Sequence, residues 1–124
     1  MNKNKEPDTS FFVSGSSNIL VENLSKSFFG TTVLNNINLE FCSGEIHGLV
    51  GQNGAGKSTL GKIIGGHYQL SSGNIYLNDQ KITKWSSKLA LDSGIAMIHQ
   101  ELALVPGMTV YENIFLGIEE NTFG

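Results

Sequence analysis

The segment GQNGAGKST, residues 51–59, constrains the fold of this chain more than any other feature. It follows a short apolar run, EIHGLV at residues 45–50, and it precedes a helical pattern. The residues that fit the phosphate-loop pattern G-x-x-x-x-G-K-[ST] are Gly51, Gly56, Lys57 and Ser58. A strand before such a loop and a helix after it are the context that the pattern requires. The segment therefore predicts a phosphate-binding loop, and the alternative is a glycine-rich turn that binds nothing.

The chemistry of a phosphate explains these residue types. Glycine lets the backbone curl until successive N–H groups face one anion, and a helix N-terminus adds its free N–H groups. The predicted phosphate contacts are Gly51, Asn53, Gly54, Ala55, Gly56, Lys57, Ser58 and Thr59. Within this set we expect Lys57 to lie between the β- and γ-phosphates, Ser58 to offer its hydroxyl to Mg²⁺, and Thr59 to reach the α-phosphate.

Length and composition bound the alternatives. The chain has 124 residues, which is enough for one small domain. Its net charge of −3 shows no basic excess of the kind that a nucleic-acid-binding protein carries. The single cysteine, Cys42, excludes an internal disulfide, and we expect it in a core strand. No apolar run reaches the length of a membrane span. Residues 1–17 are polar and are expected to form a flexible extension, with the folded part at residues 18–124.

Hydrophobic periodicity predicts strands at residues 18–28, 31–41, 45–50 and 95–98 and a hairpin at residues 72–83. Turns are expected at Phe29-Gly30 and Asn78-Asp79. Helices are expected at residues 56–65, at residues 86–94 and from Thr109 onward. The alternation of strands and helices predicts an α/β fold, a phosphate-loop NTPase core with an antiparallel β part.

Three strings carry a resemblance to one family. GQNGAGKSTL resembles the Walker A motif of ABC transporter ATPases, SKSFFG at residues 25–30 resembles their adenine-stacking loop, and IAMIHQELALVPGMTVYENIFLG at residues 95–117 resembles their Q-loop region. The resemblance implies that Phe28 stacks on adenine, that Val33 contacts it, and that Gln100 reaches Mg²⁺ or the attacking water. The alternative for Phe28 is a core residue at the end of a strand.

The string His-Gln-Glu-Leu and its surroundings are similar to the ATPases that import simple sugars such as ribose, galactose and xylose. This resemblance implies ATP and Mg²⁺ as ligands and a location on the cytoplasmic face of the cell membrane. It also implies two partners, a transmembrane permease subunit contacted by the loop after Gln100 and a second ATPase module. The transported sugar is chosen by other subunits in such systems.

The chain also departs from the family pattern. It has no Leu-Ser-Gly-Gly-Gln signature, no apolar strand that ends in Asp-Glu and no switch histidine, so it resembles the N-terminal part of one ATPase module. Candidates by residue type for a water-activating carboxylate are Glu101, Glu112, Glu119 and Glu120. We therefore expect nucleotide binding and no self-sufficient turnover. Two alternatives stay open, a nucleotide-binding fragment that does not hydrolyse ATP and a phosphate-loop kinase.

Overall fold

The computed structural model describes residues 9–13, 17–99 and 104–116. The strands are β1 (Thr9–Val13), β2 (Ile19–Phe28), β3 (Thr31–Phe41), β4 (Ser72–Leu77), β5 (Gln80–Lys81) and β6 (Ile95–His99). The helices are α1 (Lys57–Ile64), α2 (Ser87–Asp92) and α3 (Val110–Phe115). Two sheets contain the strands, one with the order β3-β2-β4-β5 and one formed by β1 and β6.

Both hairpins of the larger sheet close through the turns that the sequence predicts. Phe28 pairs with Thr31 across Phe29-Gly30, whose φ angles are 49° and 82°. Leu77 pairs with Gln80 across Asn78-Asp79, whose φ angles are 49° and 65°. Two central residues with positive φ are the requirement of a type I′ turn, which matches the twist of the strands on either side. These turns fix the register of the antiparallel sheet.

Helix α1 is held against the sheet by its apolar side. Leu60, Ile63 and Ile64 are buried, as the helical pattern predicted. They join a core made of Ile19, Val21, Leu24, Leu34, Phe41, Leu60, Ile63, Ile64, Ile75, Trp85, Ala90 and Ile95. The buried Trp85 donates its indole N–H to the carbonyl of Ile64 at 2.9 Å, which satisfies a C-terminal carbonyl of α1. Packing and this bond fix the position of the helix.

The expected strand at residues 45–50 does not form, and that prediction is wrong. The side chains of Ile46 and Val50 are 102% and 93% exposed, whereas a nearly all-apolar strand is typically buried on both faces. A strand needs a neighbour for its N–H and C=O groups, and in the described residues β6 pairs with β1. The segment therefore enters the phosphate loop as irregular backbone.

Within the segment that was expected to be a flexible extension, Thr9–Val13 form β1 and pair antiparallel with β6 in the register Thr9 to His99. The predicted strand at residues 95–98 forms within β6, in which Ile95 is buried and Ile98 is 60% exposed. Cys42 was expected inside a core strand, but it follows the end of β3 and is half-buried. Partial desolvation raises the pKa of the Cys42 thiol, and the negative charges of Glu40 and Glu45 raise it further.

Helix α3 begins with a capping box. Thr109 donates from its backbone N–H to the Glu112 carboxylate at 2.7 Å, and the Glu112 N–H donates to the Thr109 hydroxyl at 3.2 Å. The helix buries none of its residues, and Val110, Tyr111 and Ile114 are each more than 60% exposed. Within the described residues, no helix has the length and apolar character required to cross a bilayer.

The contact between Gly66 and α2 yields a stability prediction. Gly66 has φ +74°, and a Cβ there would lie 2.3 Å from the Ser86 carbonyl carbon, whereas Gly44 has φ +78° with nothing within 4 Å of its Cβ position. Both substitutions to alanine carry the same backbone cost, but only Gly66→Ala displaces the start of α2. We expect Gly66→Ala to lower the free energy of unfolding by about 1–3 kcal/mol more than Gly44→Ala does, in urea titrations. Equal losses would contradict this packing argument.

Candidate functional site

A cavity of about 210 Å³ lies at the N-terminus of α1. The residues that line it are Val33, Gly54, Gly56, Lys57, Ser58 and Thr59. Five of the six come from the glycine-rich segment, and Val33 comes from β3. The structure therefore brings one residue of the predicted adenine site to the predicted phosphate site.

The start of α1 is open toward this cavity. Gly56 is the N-cap residue with φ 91° and ψ 6°, and no side chain caps the helix. A Cβ at Gly56 would lie 2.6 Å from Cδ2 of the buried Leu34, so the loop approaches β3 more closely than another residue would allow. The first N–H groups of any α-helix have no partner within the helix. Here those groups and the positive end of the helix dipole border the cavity, as an anion site requires.

Lys57 is folded back over the loop. Its ammonium donates to the carbonyls of Gly51 at 2.7 Å and Gln52 at 2.8 Å. The cation is thus held beside the cavity by the backbone that surrounds it. An arriving phosphate would compete with two neutral carbonyls for this ammonium, and a hydrogen bond between two charged groups is the stronger one.

The remaining loop residues form an exposed turn. The Ala55 N–H donates to the Gln52 carbonyl at 3.1 Å, and Gly51, Asn53, Gly54 and Ala55 are exposed. Gly51, Asn53 and Ala55 do not line the cavity, although their positions in the motif predicted phosphate contacts. In this arrangement Gly51 contributes its carbonyl to Lys57, so its contact with a phosphate stays a prediction.

Ser58 and Thr59 complete the cavity with half-buried side chains in the first turn of α1. A hydroxyl is a hard oxygen ligand of the kind that Mg²⁺ accepts, together with phosphate oxygens and water. No group of three His, Cys, Asp or Glu side chains that could hold a metal ion occurs in the part of the chain that the structure describes. An ion at this place would depend on Ser58 and on oxygens of the ligand.

Phe28 lies at the end of β2, outside the cavity lining, and is half-buried. Its ring centroid is 5.4 Å from that of Tyr68, with the planes at 72°. The ammonium of Lys26 lies 4.7 Å from the Phe28 ring centroid. The neighbouring Phe29 is fully exposed at the turn. The position fits either alternative for Phe28, and its stacking role stays a prediction.

Several predicted residues lie outside the described part of the chain or serve another purpose. Gln100 follows β6 directly and lies outside the described residues, as do Glu101, Glu119 and Glu120. Glu112 is described, and its carboxylate accepts two hydrogen bonds from Thr109 in the capping box. These bonds lower the pKa of Glu112. This carboxylate is engaged in helix capping.

The partners that surround Phe28 were not predicted from the sequence. Lys26 precedes Phe28 by two positions in β2, so strand alternation places both side chains on one face, and this signal was available. The ammonium of Lys62 lies 5.2 Å from the Tyr68 ring centroid. This contact joins α1 to the chain that follows it, and no local pattern predicts it.

Comparison with known proteins identifies the family. A family model described as "ABC transporter" matches residues 34–123. The chain belongs to this family. The predicted resemblance to ABC transporter ATP-binding proteins is thereby confirmed.

Within this family, the chain is similar to ATP-binding proteins of sugar import. The arabinose import ATP-binding protein AraG 1 of Burkholderia lata is 47% identical over 103 residues, which cover 83% of this chain and 20% of the relative. The ribose import ATP-binding protein RbsA of Chromobacterium violaceum is 45% identical over 106 residues, covering 86% of this chain and 21% of the relative. The predicted resemblance to sugar-import ATP-binding proteins is confirmed. The chain spans about a fifth of the length of these relatives.

A solved structure supports the fold. The chain is similar to a bacterial Atm1-family ABC exporter with ATP bound, with a TM-score of 0.56 at 22% sequence identity. The match covers 69% of this chain and 15% of the exporter chain. Together with the family match, it confirms the predicted fold class, an α/β ATPase domain with an antiparallel part.

The position of Lys57 generates the prediction for this site. Lys57→Ala removes both the charge and the two bonds to the loop, whereas Lys57→Gln removes the charge and keeps a donor. We expect both variants to bind inorganic triphosphate more than about tenfold more weakly, because a hydrogen bond to a charged group is worth about 1.5–3 kcal/mol. Isothermal titration calorimetry measures this affinity, with Lys88→Gln in α2 as the matched charge control. Full binding by Lys57→Gln would reduce the role of Lys57 to bracing the loop.

Proposed function

We propose that this chain binds ATP together with Mg²⁺, with the triphosphate at the N-terminus of α1 and the adenine near the end of β2. The single observation that carries the proposal is the uncapped N-terminus of α1, which opens into a cavity beside the Lys57 ammonium. The family match and the sugar-import relatives support the same ligand.

The size of the cavity favours the phosphates as its occupant. Its volume of about 210 Å³ is below the roughly 300–1,000 Å³ of sites that enclose a whole drug-sized ligand. Lys57, Ser58 and Thr59 offer one cation and two hydroxyls inside this volume. A triphosphate can occupy this cavity, while the ribose and the base of the nucleotide extend beyond it toward β2 and β3.

The hairpin of β2 and β3 supplies an apolar surface for the base. Val33 borders the cavity, and Phe28 lies at the end of the adjoining strand. An aromatic ring stacks on a base with little regard for its hydrogen-bonding pattern, so the phosphates and the ring together can hold a nucleotide. In this proposal Phe28 stacks on adenine and Val33 contacts its edge.

Mg²⁺ would be held by the Ser58 hydroxyl, by phosphate oxygens and by Gln100. The bound ion would supply charge neutralisation between the phosphates. Gln100 comes directly after β6, and its amide oxygen is a suitable ligand type for the ion or an acceptor for the attacking water. These roles rest on the donor chemistry and on the resemblance to the Q-loop region.

We propose further that ATP binding and hydrolysis, within a complete ABC transporter, energise the import of simple sugars. The names of the relatives support import of this class. The loop after Gln100 would contact a transmembrane permease subunit, and a second ATPase module would complete the nucleotide site, at the cytoplasmic face of the membrane. The apolar side chains that α3 exposes, Val110, Tyr111 and Ile114, support a protein contact in this region.

Substitution of Phe28 tests the binding of the base separately from the binding of the phosphates. Phe28→Ala should weaken ATP binding by about 1–2 kcal/mol, the scale of stacking between a base and an aromatic ring, and should leave inorganic triphosphate binding unchanged. Phe29→Ala, which removes the exposed neighbouring ring, is the matched control and should change neither affinity. Titration calorimetry with both ligands provides the comparison. Equal losses for ATP and triphosphate in Phe28→Ala would indicate a packing role for Phe28.

A further prediction concerns ATP hydrolysis by the 124-residue chain. Hydrolysis needs a carboxylate that polarises the attacking water, and the described residues that line the cavity include no carboxylate. A positioned general base contributes about 10²–10⁴-fold in rate. We therefore expect phosphate release from Mg-ATP at the rate of the Lys57→Ala variant, measured on a monodisperse preparation. Steady release well above that control would show that this chain holds its own base.

A further inference from the structure

The ring of Tyr68 contacts the ring of Phe28. The two ring centroids are 5.4 Å apart with planes at 72°, the near-perpendicular arrangement that aromatic pairs prefer. A half-buried Phe28 could otherwise turn about its side-chain bonds. Rotation of the ring would break this contact. The pair therefore restrains the plane in which Phe28 presents itself.

Tyr68 is itself anchored to the end of α1. Its backbone N–H and that of His67 both donate to the carbonyl of Lys62, at 3.1 Å and 2.8 Å. The Lys62 ammonium lies 5.2 Å from the centre of the Tyr68 ring. Backbone and side chain of one helical residue thus hold the position of Tyr68, and the contact with a cation adds to the restraint.

A second set of bonds ties the same segment to β2. The Ser71 N–H donates to the Ser25 carbonyl at 2.9 Å, and the Ser27 N–H donates to the Ser71 hydroxyl at 3.1 Å. Tyr68 therefore lies between two fixed points, α1 on one side and the strand that carries Phe28 on the other. Lys26 also contacts the Phe28 ring, but through a long side chain with many rotamers.

We propose that Tyr68 is a positioning residue for the nucleotide base, and that it acts by holding the Phe28 ring in its stacking orientation. The inference rests on the proposed function, since it assigns to Tyr68 a role in the base site. Helix α1 then serves both parts of a nucleotide. Its first turn borders the phosphate cavity, and the segment after its last turn sets the plane of the ring for the base.

The experiment compares ATP and inorganic triphosphate binding by the 124-residue chain. Tyr68→Ala should weaken ATP binding by about twofold to tenfold and leave triphosphate binding unchanged, which is the range expected for loss of one aromatic pair. Tyr68→Phe keeps the aromatic ring and should retain the full ATP affinity of the unmodified chain. Tyr76→Ala, which removes a half-buried tyrosine from β4, controls for a general loss of stability and should leave the ratio of the two affinities unchanged.

A double mutant tests whether Tyr68 acts through Phe28. In the Phe28→Ala background, Tyr68→Ala should cause no further loss of ATP affinity, because the ring that it positions is gone. Additive losses in the double mutant would overturn the proposal. So would an unchanged ATP affinity in Tyr68→Ala while Phe28→Ala weakens ATP binding, and in that case the proposed function would stand. If Phe28→Ala itself leaves ATP binding unchanged, the proposed base site fails together with this inference.

Discussion

The packing of α1 against the antiparallel sheet is the interaction on which the other features depend. Burial of Leu60, Ile63 and Ile64 fixes the helix, and each such side chain is worth about 1.5–3 kcal/mol when fully buried. The N-terminus of the helix then borders the phosphate cavity, and the Ile64 carbonyl at its other end receives the Trp85 indole. Gly61 is buried in the same helix, where glycine lowers the helix propensity by about 1 kcal/mol relative to alanine.

Local chemistry made much of this fold predictable. The turns at Phe29-Gly30 and Asn78-Asp79, the Ser86 cap of α2 and the start of α3 at Thr109 all follow from residue types within a few positions of one another. The phosphate loop was predictable for the same reason, because its donors are consecutive backbone groups. The placement of Val33 beside the phosphate loop could be predicted only from the family resemblance, since β3 and α1 meet only in the folded chain.

The wrong predictions share a physical cause, which is dependence on a distant neighbour. Residues 45–50 have the composition of a buried strand, but composition cannot supply the strand beside it. Thr9–Val13 form a strand because β6 offers them hydrogen bonds, and their own sequence carries only a weak signal for it. The contact between Phe28 and Tyr68 is of the same kind, as it joins residues forty positions apart that no period relates.

The exposed segment at residues 45–50 lies directly before the phosphate loop, so pairing of this segment with another strand would be coupled to the order of the loop. Ile46 and Val50 expose apolar surface to water. Pairing of this segment with another strand would be stabilised by burial of that surface. The same pairing would fix the backbone at Gly51, whose carbonyl accepts a bond from Lys57. Part of the loop would then be ordered before a phosphate arrived, and phosphate binding would carry less of that entropic cost. By linkage, phosphate binding would favour the strand pairing by the same free energy.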